Sequence, residues 1–422
     1  MSNTSIDVPH RAWYGDESLT LSFPRDWQVT CCPMAGADRA VLTPEQLADA
    51  LARPIGSPRL SELARGRRRA VILFDDFTRP QPTSAILPAV LDELHAAGLG
   101  DDDIRFVTAY GCHRAMTSEE MAKKLGEEIV ARHLVFNHTI YDHLVECGTT
   151  KRGTPVRINR EVVEADLRIA IGGVVPHLTA GFGGGGKMMI PGAAGVETIL
   201  GVHVKLMDQQ RLRENEGTGE GLGRIENNVF RAELEEAARI AGLHFKVDLI
   251  TNGRREIIGL FAGDFVDAHR QACRFASEIY ATDVVRDADI VVANTYPIEC
   301  QVVKGAWPAV QSVRDGGTVV VLTHSPDGVS AHHFLVSRFG TDYGGAMYRD
   351  STRLWLARAA RVIVLTDRLT RCDRELFGPA DRVTHARTWS DALRVLEQHH
   401  PGRPTVAVYP YSAVQMPNPP SA

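Results

Sequence analysis

The sequence contains no stretch approaching the roughly 18 consecutive apolar residues that a membrane-spanning helix needs. Its first residues, MSNTSIDVPHRAWYGDESLTL, lack the positive start and apolar core of an export signal. Neither a membrane span nor export is expected, and the chain is read as cytoplasmic. Cysteine is scarce and unpatterned, with seven in 422 residues; the only close pair, Cys31 and Cys32, is adjacent, without CxxC spacing. An odd count with no framework argues for reduced thiols and against a zinc knot or a disulfide scaffold. Charge of one sign is also lacking, because 47 basic and 52 acidic residues leave a net charge of -5. The two signs are interspersed apart from a short cluster, Arg65 to Arg69, that leads into an apolar run. No nucleic-acid partner and no membrane surface follow from such a balance. Internal repeats and low-complexity tracts are absent as well.

What is present is an ordinary globular composition, 44% hydrophobic and 23% charged. The length exceeds one ordinary core and points to two domains or to one domain with large insertions. Short apolar runs alternate with helical patterns, the signature of parallel sheets with crossover helices. The runs at Ala70 to Phe74, Ile104 to Ala109, Leu167 to Ile171, Ile290 to Ala293, Thr318 to Leu322, Val362 to Leu365 and Thr405 to Val408 read as strands. Helical patterns lie at Thr83 to Ala97, Phe265 to Thr282, Tyr348 to Ala359 and Ser390 to Gln398. Thr117 with Glu120 forms a capping box, which leaves His113 in a strand-to-helix loop. The expected fold class is α/β: two domains with mainly parallel sheets and crossover helices, residues 1–272 and 273–422, with the active site in the interdomain cleft.

Ligands of open α/β sheets gather beyond the strand C-termini. The polar motifs stand there: DDFTRP after the Ala70 strand, GCHR after the Ile104 strand, GGVVPH after the Leu167 strand and NTYPIECQ after the Ile290 strand. The strongest local signal is GFGGGGKMMIPGAAG, residues 181–195, with five glycines in its first six positions. Glycine at that density disfavours a helix or strand interior and suits a backbone that approaches a ligand and aims N–H groups at an anion. Gly184, Gly185 and Gly186 are the candidate cradle. The loop is not a Walker A motif, since Lys187 is followed by Met188 and Met189, with no Ser or Thr to hold magnesium. It does not follow the dinucleotide fingerprint either.

His203 lies sixteen residues after Lys187 in an apolar pattern that reads as a helix. Taken alone it is better explained as a core histidine, because one imidazole cannot hold a metal without further donors. His113 and His177 each sit at a strand mouth, where two loop histidines can serve as acid and base or simply bond at the surface. In DDFTRP, Asp75 or Thr78 suits a cap or a loop bond, and Arg79 offers a fork for a carboxylate or phosphate. Gln301 and Lys304 share a helix face if a helix starts near Cys300.

In order and spacing, DDFTRP, GCHR, PHLTAGFGGGGK with a histidine sixteen residues on, and CQVVKG resemble the lactate racemase family, from about residue 70 to about 310. The resemblance implies a nickel-pincer nucleotide (a pyridinium-3-thioamide-5-thiocarboxylic acid mononucleotide with Ni) bonded to Lys187, with His203 as its protein metal ligand. Asp75, Thr78 and the three glycines would join Lys187 in holding the cofactor. It further implies His113 and His177 as the acid/base pair and Arg79, Gln301 and Lys304 as binders of the substrate carboxylate. Cofactor biosynthesis proteins are the implied loading partners, and self-association is left open. The chain departs from the pattern at Cys300, where a lactate-specific enzyme would carry a bulkier aromatic. The implied activity is racemisation or epimerisation of a small-molecule 2-hydroxy acid, lactate or a larger one, by hydride transfer through a 2-keto acid. Two alternatives use the same residues: an NAD-dependent 2-hydroxy acid dehydrogenase, against which the missing fingerprint counts, and a non-catalytic nucleotide- or metal-binding protein.

Overall fold

The computed structural model describes residues 4–202, 221–305, 307–328 and 356–418. The chain divides into two compact units, one of residues 38–278 and one of residues 1–37 with 279–422. This differs from the expected division at 272/273. The N-terminal segment joins the C-terminal unit because Gln28–Cys31 pairs in parallel with Thr405–Tyr409, extending that sheet at its edge.

The unit of residues 38–278 is built on a six-stranded sheet with Ala70–Phe74 near its middle. Every residue of that strand is buried, as a continuous run of branched and aromatic side chains requires when both faces are covered. Ile104–Thr108 and then Leu134–Asn137 lie on one side of it. Leu167–Gly173 and then Phe245–Thr251 lie on the other, all of them parallel. Ile257–Gly263 closes that edge as an antiparallel strand. The chain therefore winds outward in one direction from Ala70–Phe74, returns, and continues in the other. The reversal falls between Ala70–Phe74 and Leu167–Gly173, a topological switch point of the kind where open sheets leave a crevice for ligands.

The second unit carries a six-stranded sheet that is parallel throughout, in the order Val383–Ala386, Arg361–Leu365, Val313–Leu322, Ala288–Asn294, Thr405–Tyr409, Gln28–Cys31. Its faces are covered by separate apolar clusters. One includes Val291, Val321, Leu376 and Tyr409, and the other Phe23, Trp27, Trp389 and Leu396. The hairpin Thr4–His10 and Glu17–Phe23 supplies Val8, Leu21 and Phe23 to the second cluster.

All seven strands read from the sequence are present. The pattern at Thr83 to Ala97 resolves into a 3-10 turn, Thr83–Ala85, and a helix, Leu87–Ala96. The patterns at Phe265 to Thr282 and Ser390 to Gln398 form the helices Asp267–Ile279 and Trp389–His399. Most of the pattern at Tyr348 to Ala359 lies outside the described residues; Leu356 to Arg358 form a turn. Among the described residues no helix is long and apolar enough to cross a membrane.

Candidate functional site

The DDFTRP loop leaves the C-terminus of Ala70–Phe74 and turns its two acidic residues in different directions. Asp75 is held inside the protein. Its Oδ1 lies 2.7 Å from Lys124 Nζ, while its Oδ2 accepts the Gly173 N–H at 2.9 Å and a bond from Gln81. Lys124 is 1% exposed and also donates to the Arg79 carbonyl at 3.1 Å, so one buried ammonium fixes both ends of the loop. Burial pulls the Lys124 pKa down, against the opposing pull of Asp75.

Asp76 faces the neighbouring GCHR loop. Its Oδ2 is 2.5 Å from His113 Nδ1, and its Oδ1 accepts from the Thr78 N–H at 3.0 Å and from the Thr78 hydroxyl. Burial alone would raise the Asp76 pKa. The charges of His113 and Arg79 and the bonds from His113 and Thr78 outweigh it and hold the carboxyl well below its usual range. A carboxylate has only acceptors, so neutral His113 carries its proton on Nδ1 and presents a lone pair at Nε2. Arg79 is half-buried and braced by its own loop, with Nη1 donating to Thr78 Oγ1 at 2.8 Å and to the Thr78 carbonyl at 3.2 Å. The two loops are also tied by Arg114, which lies 4.4 Å over the Phe77 ring and pairs with Glu120. Glu120 in turn completes the capping box with Thr117.

The third loop follows Leu167–Gly173. A short antiparallel pairing of Pro176–His177 with Gly181–Phe182 leads into the glycine run, and a 3-10 turn at Gly185–Met188 places Lys187. The run is clamped from beneath. Fully buried Arg231 donates to the carbonyls of Ala180 at 3.1 Å, Phe182, and Gly184 at 3.4 Å. His269 bonds the Gly183 carbonyl at 2.7 Å, and Asp248 accepts the Gly185 N–H at 3.1 Å. Close packing thus accounts for part of the glycine content. Gly184, at φ 73°, would put a Cβ 2.5 Å from Asp248, and Gly185, at φ 56°, would put one 2.7 Å from the His269 ring. The Gly185 N–H is bonded to Asp248 within the protein.

Lys187 ends this loop with its Nζ 3.5 Å from His177 Nε2 and 5.4 Å from the centre of the Phe230 ring. Burial, with the charges of Arg231 and Arg79, pushes its amine well below the usual lysine range. Arg79 is therefore close enough to act on Lys187, which joins the DDFTRP loop to the glycine loop in one electrostatic neighbourhood.

Of the residues singled out in the sequence, Asp75, Thr78, Arg79, His113, His177, Lys187 and the glycines all lie on three loops that follow neighbouring strands. Gln301 and Lys304 follow Ala288–Asn294 in the other unit. Gln301 is buried and immediately precedes the helix Val302–Gly305, whose Lys304 N–H bonds the Gln301 carbonyl at 2.9 Å. Cys300 is buried. His203 lies outside the described residues, and among those that are described no group of three or more His, Cys, Asp or Glu is arranged to hold a metal ion. Asp76 and Lys124 were not singled out by sequence reasoning. The motif that held Asp75 also held Asp76, and the capping box at Thr117 marked the helix that carries Lys124.

Comparison with known proteins gives a consistent result. A family model described as the lactate racemase N-terminal domain matches residues 14–215. The chain is 32% identical over 339 residues to a lactate racemase of Thermoanaerobacterium thermosaccharolyticum, covering 78% of this chain and 76% of that protein. It is 34% identical over 298 residues to a lactate racemase of Lactiplantibacillus plantarum, covering 69% and 68%. Among solved structures, the lactate racemase apoprotein from T. thermosaccharolyticum superposes with a TM-score of 0.77 at 26% identity, covering 99% of this chain and all of that one. A Thermotoga maritima protein at 19% identity shares the fold with a TM-score of 0.66, over 89% of this chain and 99% of its own.

Proposed function

The chain belongs to the lactate racemase family, and we propose that it racemises or epimerises a 2-hydroxy acid, lactate or a larger one, through the planar 2-keto acid. It is an isomerase of the racemase kind. The group that the family implies is a nickel-pincer nucleotide, which when bound supplies a reversible hydride acceptor. The observation that carries the reading is Lys187, a half-buried side chain at the end of a glycine run, with its amine 3.5 Å from His177 and under the charge of Arg79.

The residues present fit such a group. Lowering the pKa of the amine makes its unprotonated form, the one that is acylated, easier to reach. Among the described residues no carboxylate pairs with Lys187, and the cations that act on it, Arg231 and Arg79, favour an anionic partner. Lys187 would carry the tether and His203 the metal. Asp75 and Thr78 would serve mainly by holding the loop, Asp75 through Lys124 and the Gly173 N–H and Thr78 through Asp76 and Arg79.

His113 is built to receive the hydroxyl proton. Its Nε2 lone pair faces away from Asp76, and the ionised Asp76 stabilises the imidazolium that forms. His177 supplies the second proton-handling ring, for the opposite enantiomer. Arg79 offers its guanidinium to the substrate carboxylate, and Gln301 and Lys304 are proposed to assist. The reading is tested on protein purified from a host that makes the cofactor, by intact mass, metal content and chiral analysis of a panel of 2-hydroxy acids. It requires a mass adduct, nickel, and interconversion of both enantiomers of at least one acid. Loaded protein that interconverts none of them contradicts it.

A further inference from the structure

His177 is bonded on both ring nitrogens, and the two sides differ in kind. At Nδ1 the backbone N–H of Thr179 approaches to 3.3 Å and that of Ala180 to 3.2 Å, with the Thr179 hydroxyl at 3.2 Å. A backbone N–H can only donate, so two of them aimed at one nitrogen require it to be the acceptor. The neutral ring therefore carries its proton on Nε2. Lys187 Nζ lies 3.5 Å from Nε2. A ring N–H cannot accept from an ammonium, so a hydrogen bond between these two nitrogens takes the uncharged amine as its acceptor. The burial of Lys187 and the charges of Arg231 and Arg79 favour the same protonation state.

We propose that in the protein before cofactor attachment His177 donates its Nε2–H to the lone pair of Lys187, holding the amine in place for modification, and that acylation of Lys187 releases this proton toward substrate. The consequence rests on the reading of Lys187 as the tethered residue. In an acylation the amine nitrogen forms a bond to the carbon of an activated carboxyl or thiocarboxyl group, the bond from that carbon to its leaving group breaks, and the ammonium proton passes to solvent. The nitrogen lone pair is then delocalised and no longer accepts. His177 is accordingly a positioning residue for Lys187 in the unloaded chain, and becomes available to substrate only in the loaded one. His113, whose Nδ1–H is committed to Asp76, presents a lone pair at Nε2 in both states. The two rings thus start from opposite tautomers.

The test is nitrogen NMR on the full chain, labelled with 15N-histidine and made in a host without the cofactor, with the His177 signals assigned by comparison with His177→Gln. The expected result is a protonated Nε2 and an unprotonated Nδ1 at neutral pH. In Lys187→Met the Nε2 signal should move and its proton should exchange with solvent roughly five- to tenfold faster, as loss of one hydrogen bond implies. Should that variant fail to fold, the wild-type chain acetylated at Lys187 with acetic anhydride, and mapped by peptide mass, should show the same change. A proton on Nδ1, a doubly protonated ring, or an Nε2 signal indifferent to both changes at Lys187 overturns the proposal. Failure of the tether reading would look different, as cofactor-exposed protein with no mass adduct at Lys187 and the NMR result intact.

Discussion

The Oδ2 atom of Asp76 and the Nδ1 atom of His113 lie 2.5 Å apart on loops that follow adjacent parallel strands. The pair sets the tautomer of His113 and leaves Nε2 as its only basic position. Asp76→Asn keeps the shape but loses the charge that stabilises the imidazolium. It should lower kcat for both enantiomers by about 10²- to 10⁴-fold, the worth of a positioned base and its orienting carboxylate, with little change in KM. Initial racemisation rates from each enantiomer, with melting temperature as the control for folding, check this. An unchanged kcat would remove His113 from proton transfer.

Lys124 is the buried cation that joins Asp75 to the Arg79 carbonyl. Lys124→Met leaves the Asp75 carboxylate buried without its ammonium, which should cost about 3 to 5 kcal/mol. The double variant Asp75→Asn/Lys124→Met removes both charges and should recover a large part of that loss, because the penalty is the orphaned charge rather than missing volume. Urea unfolding of Lys124→Met, Asp75→Asn and the double variant measures the coupling. Additive losses would mean that the two side chains do not act as a pair.

His138 is a core histidine with both nitrogens satisfied, donating from Nε2 to the Ala194 carbonyl at 2.9 Å and accepting at Nδ1 from Asn159 at 3.2 Å. Burial, only partly offset by the Ala194 bond, lowers its pKa to about 4. Below pH 6.5 the unfolded chain binds a proton that the folded chain refuses, so stability falls as pH drops from 6.5 toward 4. The contribution lost is about 3 kcal/mol. His138→Gln should flatten the stability profile across that window, measured by urea unfolding at several pH values. A profile as steep as that of the wild type would assign the acid sensitivity elsewhere.

Much of this architecture could be read from the sequence, and the parts that could not have physical reasons. AVILF at 70–74 is apolar throughout because both faces of a central parallel strand are covered. FKVDLIT at 245–251 is equally buried, yet Lys246 and Asp248 break its apolar pattern. Their charges pair at 2.7 Å inside the protein, and sequence cannot tell a buried ion pair from two solvated residues. Joining Gln28–Cys31 to Thr405–Tyr409 spans nearly the whole chain, and no local signal encodes such a pairing. Among site residues, the glycine run and its lysine stood out because that composition suits few other places. Asp75 and Asp76 are chemically identical neighbours. Only the fold turns one toward Lys124 and the other toward His113.

Lys187→Ala should abolish the mass adduct and any absorbance of the pincer group while the fold survives, since the Lys187 amine makes no ion pair among the described residues. His203→Ala should retain the adduct and lose nickel, with the melting temperature nearly unchanged. Intact mass and metal analysis separate the two outcomes. Full activity without the lysine would refute the tether, and a destabilised His203→Ala protein that keeps its nickel would make that histidine a packing residue.

In the proposed reaction the Cα hydrogen moves as a hydride within the site, while His113 and His177 handle only the hydroxyl proton. Substrate carrying deuterium at Cα, inverted by the loaded enzyme in ordinary water, tests it directly by mass spectrometry of the separated enantiomers. The product enantiomer should keep its deuterium through inversion. Washout of the label into water at the rate of inversion would contradict it and point to proton abstraction at Cα by the same two histidines.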